Sequence, residues 1–273
     1  ATLQMLKVAE GQNIETVWDR WEKQQPQCGF GELGVCCKIC SMGPCRIDPF
    51  GGELRRGVCG ADADTIVARN LVRMIAGGSA AHSDHGRDVV HTLHLAAEGQ
   101  GGYSIKDPLK LRTLAAEFGI KTDGKSTEDI AKAVADFAAQ MFGQQEGEIP
   151  LIARAPAKRR ELWRKLGIVP RGVDREIVEV MHRSTMGVDN DYKNILKQGM
   201  RASLADGWGG SMIATELQDV LFDSPKPVRS AVNLGVLAGV DQVKAADPER
   251  DGQAEQPGGQ IARGEQRTAH AGP

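Results

Sequence analysis

The sequence has few aromatic residues, almost no net charge and no long apolar run. Phe, Trp and Tyr make up 4% of the 273 residues, whereas Gly occurs 33 times, which favours helices packed through small residues over a sheet sandwich. The formal net charge of -2 gives no strong field toward nucleic acid or a membrane surface. No run approaches the ~18 apolar residues of a transmembrane helix. We therefore expect neither a nucleic-acid partner nor a membrane span.

The N-terminus also lacks the features of an export signal. ATLQMLKVAEGQ has neither the basic nor the apolar region of a signal peptide, so we expect a cytoplasmic protein. In that compartment thiols stay reduced, and clustered cysteines bind metal more often than they form disulfides. The absence of an initiator Met is expected of a processed chain or of a piece of a longer one.

Cysteine is absent after residue 59, and all six cysteines lie in one glycine-rich segment. They are Cys28, Cys36, Cys37, Cys40, Cys45 and Cys59. The last four form the run C-x2-C-x4-C-x13-C, whose thiolates can cover the corners of an iron–sulfur cubane. Two cysteines remain, and a two-fold symmetric dimer would add two more thiolates from the same patch of its partner.

Zinc and disulfides are the alternatives that this spacing leaves open. Structural zinc favours two paired knuckles, and this segment contains one C-x-x-C. Disulfides conflict with a reducing compartment, and the adjacent residues Cys36 and Cys37 could pair only with strain. The spacing therefore favours an iron–sulfur site, with zinc second.

Helical patterns follow the cysteines. An acidic start and Gly77-Gly78 predict a helix over 61–78, with Ser83 as a candidate cap for the next one. Asp107-Pro108 opens a helix that Gly119 closes. Further helices are expected at 126–142, 156–166, 174–183, 190–205 and 212–222, after a helical lead-in over 1–27.

Two other segments are predicted to be structural. GWGGS at 207–211 could approach a cofactor, but a glycine-rich segment between helices more often forms a turn. GVDND at 187–191 could bind a partner, but Asp189 or Asn190 is expected to cap the following helix. We assign neither segment a chemical role.

The patterns together predict a mainly α fold. Residues 1–60 form the lead-in and cysteine-rich segment, and 61–227 form a helical domain. After the breaker SPKPV, the β-branched residues of AVNLGVLAGVDQV predict the start of an α/β domain at 228–243. Residues 244–273 contain one large aliphatic residue, Ile261, and cannot bury enough apolar surface to offset their ordering entropy. This tail is expected to be disordered or the product of a frameshift.

Several segments resemble one enzyme family. QQPQCGFGELGVCCKICSMGPCRIDPFG, RGVCGADADTIVARNLVRMIAGGSAAHSDHGRDV and LADGWGGSMIATELQDVLF closely resemble the N-terminal portion of the catalytic subunit of anaerobic nickel–iron–sulfur carbon monoxide dehydrogenases. The likeness covers about residues 1–243, and all six cysteine spacings match. It implies an N-terminal helical domain with cysteine-rich iron–sulfur loops, followed by a truncated start of a Rossmann-like α/β domain.

The resemblance implies a ligand role for every cysteine. Cys37, Cys40, Cys45 and Cys59 match the ligands of an internal 4Fe–4S cluster, called B. Cys28 and Cys36 match the ligands of the D cluster, which two subunits of a homodimer share; whether this chain's D site holds 4Fe–4S or 2Fe–2S stays open.

The resemblance also implies a reaction and partners. In the family, CO and water give CO2, two protons and two electrons at a nickel–iron–sulfur C cluster. The electrons pass through the partner subunit's B cluster and D to ferredoxin or a similar acceptor. An acetyl-CoA synthase subunit is a further partner in some members.

A series of polar residues at three-residue spacing follows the cysteines. It consists of His82, His85, Asp88, His91 and His94. Residues three apart are neighbours on a helix, but each step drifts by about 60°, so the series winds around the helix. Each histidine alone would be read as a solvated or capping residue, and a zinc site is a further alternative.

The resemblance gives this series a catalytic interpretation. It implies that His82 is an acid/base beside the C cluster, and that His85, Asp88 and His91 belong to a proton path. Many members have histidine at the position of Asp88; a carboxylate can also carry protons, so the path is retained as a hypothesis.

The ligands of the C cluster are missing from this sequence. In the family they are one histidine and several cysteines later in the subunit, and the histidine lies in an HGH-type segment where this chain reads KAADPERDG. The likeness ends at Val243, as a frameshift or a broken reading frame would end it. We expect a catalytic whole subunit and an inactive 273-residue chain. The alternatives are a stand-alone dimeric iron–sulfur electron-transfer protein and a zinc-stabilised helical interaction protein.

Overall fold

One helix of 35 residues, α4 (Ala63–Ala97), dominates the part of the chain that the computed structural model describes, residues 2–225. The Asp62 carboxylate caps it by accepting the Thr65 N–H at 2.9 Å. Buried residues recur along α4 at three- and four-residue intervals, for example Val72, Ala76 and Ser79, which is the period of one helix face. This face packs against four later helices.

The predicted break at Gly77-Gly78 is wrong, because α4 continues through both glycines. A glycine inside a helix costs about 1 kcal/mol relative to alanine, and the tertiary packing of α4 outweighs this preference. Ser83 is therefore not a cap. It is buried within α4 and its hydroxyl donates a hydrogen bond to the Asp174 carboxylate.

The bounds of the other helices are α1 Thr2–Gly11, α2 Val17–Lys23, α3 Gly29–Glu32, α5 Pro108–Glu117, α6 Thr127–Gly143, α7 Ala157–Leu166, α8 Val173–Arg183, α9 Tyr192–Ala205 and α10 Ser211–Phe222, with a 3₁₀ turn at Pro150–Arg154. Helices α5 to α10 follow the sequence prediction within about two residues at each end, α1 and α2 lie within the predicted helical lead-in over 1–27, and the short α3 was not predicted. The prediction of a mainly α fold is confirmed. The predicted start of an α/β domain at 228–243 and the predicted tail at 244–273 lie outside the described residues.

Strand structure in the described part is limited to a short ribbon. β1 (Cys36–Cys37) and β2 (Cys45–Arg46) pair in antiparallel fashion, with Cys37 opposite Cys45 and Cys36 opposite Arg46. Val35, Ile47 and Ile66 form a small apolar core beneath the ribbon. The ribbon therefore lies against the N-terminal end of α4.

The segment 207–211 is not the predicted turn. Asp206–Gly210 forms a π-helical segment that joins α9 directly to α10. A Cβ atom on Gly210 would lie 3.2 Å from the Ser83 nitrogen, and one on Gly86 would lie 3.0 Å from the Gly210 oxygen. The absence of side chains at these two positions lets the π-helical backbone approach α4 at residues 82–86.

No helix among residues 2–225 combines the length and apolarity needed to cross a bilayer.

Two glycine substitutions on α4 test this packing. Gly86→Ala would place a Cβ 3.0 Å from both the Gly210 oxygen and the Phe142 ring, so we expect it to lower the free energy of unfolding by about 1–3 kcal/mol. Gly78→Ala is the matched control, since no atom lies within 4 Å of its added Cβ, and it should raise stability by about 0.5–1 kcal/mol. Urea unfolding of both variants measures the signs; equal effects would contradict the close approach.

Candidate metal centre and histidine series

Four of the six cysteines line one small internal cavity. Cys37 and Cys45 are cross-strand neighbours in the ribbon, Cys40 lies in the turn between the strands, and Cys59 returns from the loop before α4. Cys37 is buried and the other three are half-buried. Most of the remaining lining is apolar and includes Ile39, Ala61, Ile66 and Met186. The fold thus brings together all four cysteines of the C-x2-C-x4-C-x13-C run.

Hydrogen-bond donors point at the sulfur atoms of this cavity. The Val58 N–H lies 3.5 Å from Cys45 Sγ, and Arg69 Nη1 lies 3.7 Å from Cys59 Sγ. Burial raises the pKa of the Cys59 thiol, but hydrogen bonds from the Ala61 N–H and from Arg69 outweigh burial and lower the pKa overall. Cys59 therefore favours the thiolate, the form that binds iron or zinc.

The number and spread of the cysteines bear on which metal group the cavity could hold. Among the described residues, no three Cys, His, Asp or Glu side chains converge closely enough to hold one metal ion. A single zinc ion draws its sulfur ligands to about 2.3 Å, whereas a cubane places them at its separate corners. The four cysteines that line the cavity would supply one thiolate for each iron of such a cubane.

Cys28 and Cys36 lie in a different place from the other four cysteines. Successive residues of a strand point to opposite faces, so Cys36 points away from the cavity that holds Cys37. Together with Cys28 it lines an open surface cleft, which also includes Arg46 and Arg73. The Asn70 amide donates to the Cys36 oxygen at 3.0 Å and fixes this edge of the ribbon on α4.

Cys28 is the exposed cysteine of the cleft, and it precedes the short helix α3. The backbone N–H groups of Gly31 and Phe30 lower the pKa of its thiol, and the positive charges of Arg46 and Lys38 add to this effect. The thiolate at this position is stabilised before any metal binds.

The histidine series lies along α4, exposed except at the half-buried His94, and its members contact different neighbours. His82 Nδ1 lies 2.7 Å from Asp206 Oδ1, and His85 Nε2 lies 3.4 Å from the Gln218 amide nitrogen. His94 Nε2 lies 3.1 Å from Asp136 Oδ1. Asp88 and His91 are exposed. The series therefore follows the helix surface and does not converge on one site.

The partner of His82 comes from the π-helical segment. Asp206 begins this segment, and its Oδ1 also accepts the Ser211 hydroxyl at 3.0 Å. The Gly86–Gly210 approach brings the segment against α4, and this approach brings Asp206 to His82. GWGGS was predicted to be a turn, and no sequence pattern connects Asp206 with a histidine 124 residues away.

Arg69 and Met186 are site residues that sequence reasoning missed. Arg69 is 1% exposed and occupies the buried face of α4 with Thr65 and Val72. A cation within an otherwise apolar helical period is a signal of a buried charge that needs a partner. Met186 carried no signal, because it reaches the cavity from the loop after α8.

The segment 187–191 is fixed by hydrogen bonds to other residues of its own chain. Asp191, rather than Asp189 or Asn190, is the residue that caps α9, through a 2.8 Å bond from the Lys193 N–H. Asp189 accepts from Arg183 at 3.0 Å, and the side-chain oxygen of Asn190 accepts from Arg69 at 2.8 Å. The predicted cap was wrong by one or two residues.

Most of the chain matches one known protein family. The Prismane/CO dehydrogenase family matches residues 35–243. The chain is 61% identical over 239 residues to carbon monoxide dehydrogenase 1 of Methanosarcina mazei, covering 87% of this chain and 38% of that protein. It is 48% identical over 237 residues to carbon monoxide dehydrogenase 1 of Carboxydothermus hydrogenoformans, with 85% and 37% covered.

Solved structures agree with the sequence relatives. Carbon monoxide dehydrogenase from Thermococcus sp. AM4 superposes with a TM-score of 0.77 at 52% identity, over 82% of this chain and 36% of that one. An acetyl-CoA synthase/carbon monoxide dehydrogenase whose alpha subunits hold NiZn and NiNi Fe4S4 clusters gives a TM-score of 0.77 at 40% identity, over 84% and 34%.

The mainly helical chain, with its cysteine-rich segment at 28–60, belongs to the Prismane/CO dehydrogenase family. It spans 38% of the length of the Methanosarcina mazei relative.

The lowered pKa of Cys28 predicts its chemical reactivity. In the metal-free, reduced chain, Cys28 should keep reacting with iodoacetamide at a lower pH than free cysteine does, because the thiolate is the nucleophile and a lowered pKa preserves it as pH falls. Peptide mass spectrometry after brief alkylation across a pH series measures this. A reactivity profile equal to that of free cysteine would contradict the assigned environment.

Proposed function

We propose that this chain is the N-terminal part of a carbon monoxide dehydrogenase, and that it carries the B and D electron-transfer clusters. The supporting observation is the division of six cysteines by the ribbon: four line a buried cavity, and two line an open cleft. One complete ligand set and one half-set are what a private cluster and a shared cluster require.

The buried cavity is the proposed B site. Cys37, Cys40, Cys45 and Cys59 would ligate the four irons of a 4Fe–4S cluster, which takes up and releases single electrons. The apolar lining limits access of water, and the Val58 N–H and Arg69 supply hydrogen bonds to sulfur. Burial and hydrogen bonds to sulfur are two of the factors that set a cluster's reduction potential.

The open cleft is the proposed half of the D site. Cys28 and Cys36 supply two thiolates, and a second copy of the chain would supply the same pair across a two-fold axis. The exposed side chains of Val67, Leu71 and Met74 run along α4 beside the cleft. We propose that a second copy of the chain packs against this apolar stripe, so that the two copies form a homodimer.

The histidine series is the proposed route for protons. His82 would act as the acid/base, with its Nδ1 hydrogen-bonded to Asp206 and its Nε2 left to exchange a proton. His85, Asp88 and His91 continue along α4 at three-residue intervals, exposed in the described part of the chain. Neutral histidine suits proton transfer because its ordinary pKa lies near 6.5.

The complete subunit would oxidise CO with water to CO2, two protons and two electrons. The nickel–iron–sulfur C cluster for this reaction would be held by residues beyond this chain, since no cysteine follows Cys59. Electrons would leave through B and D to ferredoxin or a similar acceptor, and an acetyl-CoA synthase subunit is a further proposed partner. The 61% identity to a carbon monoxide dehydrogenase favours this enzyme over a stand-alone electron-transfer protein.

Iron counting tests the two cluster sites. The anaerobically reconstituted chain should bind about six irons per chain, four in B and two as its share of a 4Fe–4S D cluster. Cys28→Ser with Cys36→Ser should remove about two irons, or about one if D is 2Fe–2S, and should weaken dimerisation. Cys45→Ala should remove the B irons and leave the D share.

Sedimentation across a concentration series accompanies the iron analysis. A wild-type chain that stays monomeric at every concentration with about four irons would rule out the shared cluster. Zinc without acid-labile sulfide in the purified chain would instead support the zinc alternative.

Substitution of His82 tests the proton route in a complete subunit that carries this segment. His82→Ala should lower CO oxidation by about 10²–10⁴-fold, the usual contribution of a general acid or base, without changing metal content. Asp206→Asn should cause a smaller loss in the same direction, because it weakens the orientation of His82. His94→Ala, on the same helix but paired with Asp136, is the control and should retain activity; equal losses in all three variants would contradict a specific role for His82.

A further inference from the structure

A buried arginine beside the cysteine cavity has unusual hydrogen-bond partners. Arg69 is 1% exposed, and its Nη1 lies 3.7 Å from Cys59 Sγ. Its Nη2 donates to the Asp189 backbone oxygen at 3.0 Å and to the Asn190 side-chain oxygen at 2.8 Å. Both oxygens are neutral. Among the described residues 2–225, Cys59 Sγ is therefore the one hydrogen-bond acceptor of Arg69 that can carry a negative charge.

The unmatched charge of Arg69 indicates what the site is built to accept. A buried cation without an anion is costly, because its loss of hydration is repaid only by a nearby opposite charge. The Arg69 Nε also has no hydrogen-bond partner in the described structure. A cluster with four thiolate ligands is anionic in both of its common oxidation states, and its negative charge would lie against this guanidinium.

The loop 187–191 fixes the guanidinium from the side opposite the cysteines. Asp189 is held by Arg183 at 3.0 Å, and the Asn190 backbone oxygen accepts the Thr65 hydroxyl at 2.9 Å. Arg183 is in turn paired with Glu179 at 2.7 Å. Burial raises the pKa of Glu179, but hydrogen bonds from Arg171 and Arg183 outweigh burial and lower the pKa to about 2. The Glu179 carboxylate that holds Arg183 therefore stays charged at neutral pH.

We propose that Arg69 raises the reduction potential of the cluster that Cys37, Cys40, Cys45 and Cys59 would bind. In this proposal the loop 187–191 holds the Arg69 guanidinium against Cys59. Reduction adds one electron, supplied by an external donor, to an already anionic cluster. A fixed positive charge and an N–H donor at a ligand sulfur stabilise the reduced state more than the oxidised state. This inference rests on the proposed B site.

The experiment measures a potential, because a residue needed only for folding would not shift it. The 273-residue chain carrying Cys28→Ser and Cys36→Ser is reconstituted with iron and sulfide, so that all bound iron belongs to the other four cysteines. A redox titration followed by electron paramagnetic resonance gives the potential. Arg69→Gln should lower the reduction potential by about 59 mV or more, which corresponds to a tenfold or larger change in the equilibrium constant of one-electron reduction.

Three further variants separate charge, position and fold. Arg69→Lys keeps the charge but loses the planar fork and should fall between Arg69→Gln and the parent. Asn190→Ala keeps the arginine and loosens it, so it should shift the potential in the same direction by less. Arg56→Gln is the matched control: Arg56 is exposed and donates to the Gly60 oxygen beside Cys59, and water should screen its charge.

The outcomes distinguish this inference from the function on which it rests. A parent chain that binds no iron and sulfide would overturn the B site itself. A loaded Arg69→Gln chain with the parent potential would overturn the role of Arg69 alone. If Arg69→Gln does not retain a cluster, unchanged potentials in both Arg69→Lys and Asn190→Ala overturn it, and a control shift as large as that of Arg69→Gln would do the same.

Discussion

The close packing of α4 against its neighbours is the constraint on which the rest of the structure depends. Small residues permit this packing. A Cβ on Gly199 of α9 would lie 2.7 Å from the Val72 side chain, and a Cβ on Gly86 would lie 3.0 Å from the Gly210 oxygen of the π-helical segment. Because this packing keeps α4 helical through Gly77-Gly78, one rigid element carries both candidate sites. Arg69 and His82 are 13 positions apart, which is about 20 Å along a helix. The cysteine end and the histidine end are therefore held at a fixed separation.

Much of the fold was predictable because local signals agreed with the final structure. Asp107 and Ser126 cap their helices through their side chains, and Pro108 occupies the first turn of α5, all of which the sequence displays directly. Gly77-Gly78 misled the prediction, because a stop signal is a local preference and the packing that overrides it is tertiary. The π-helical segment was missed for a related reason: its glycines are explained by the proximity of α4, which no local pattern contains.

Some residues of the candidate site could be grouped from the sequence and others could not. Cysteine spacing and family resemblance grouped Cys37, Cys40, Cys45 and Cys59, and the structure places them around one cavity. Arg69 lay in the sequence as an arginine on an apolar helical face, but its contact with Cys59 and Asn190 depends on a loop 120 residues away. Pairs of that kind, such as His82 with Asp206, are formed by the fold and leave no mark in the spacing of residues.

The two-strand ribbon also restricts how this segment can change in evolution. Cys36 and Cys37 serve different sites because neighbouring strand residues face opposite ways. A one-residue slip in pairing would exchange the faces, turning Cys36 toward the cavity and Cys37 toward the cleft, although every cysteine would still be present. A change in the length of the turn between Cys37 and Cys45 is therefore tolerable only where it preserves the phase of the two strands. Retention of all six cysteines in a variant therefore does not ensure that each one faces the same cavity or cleft as it does here.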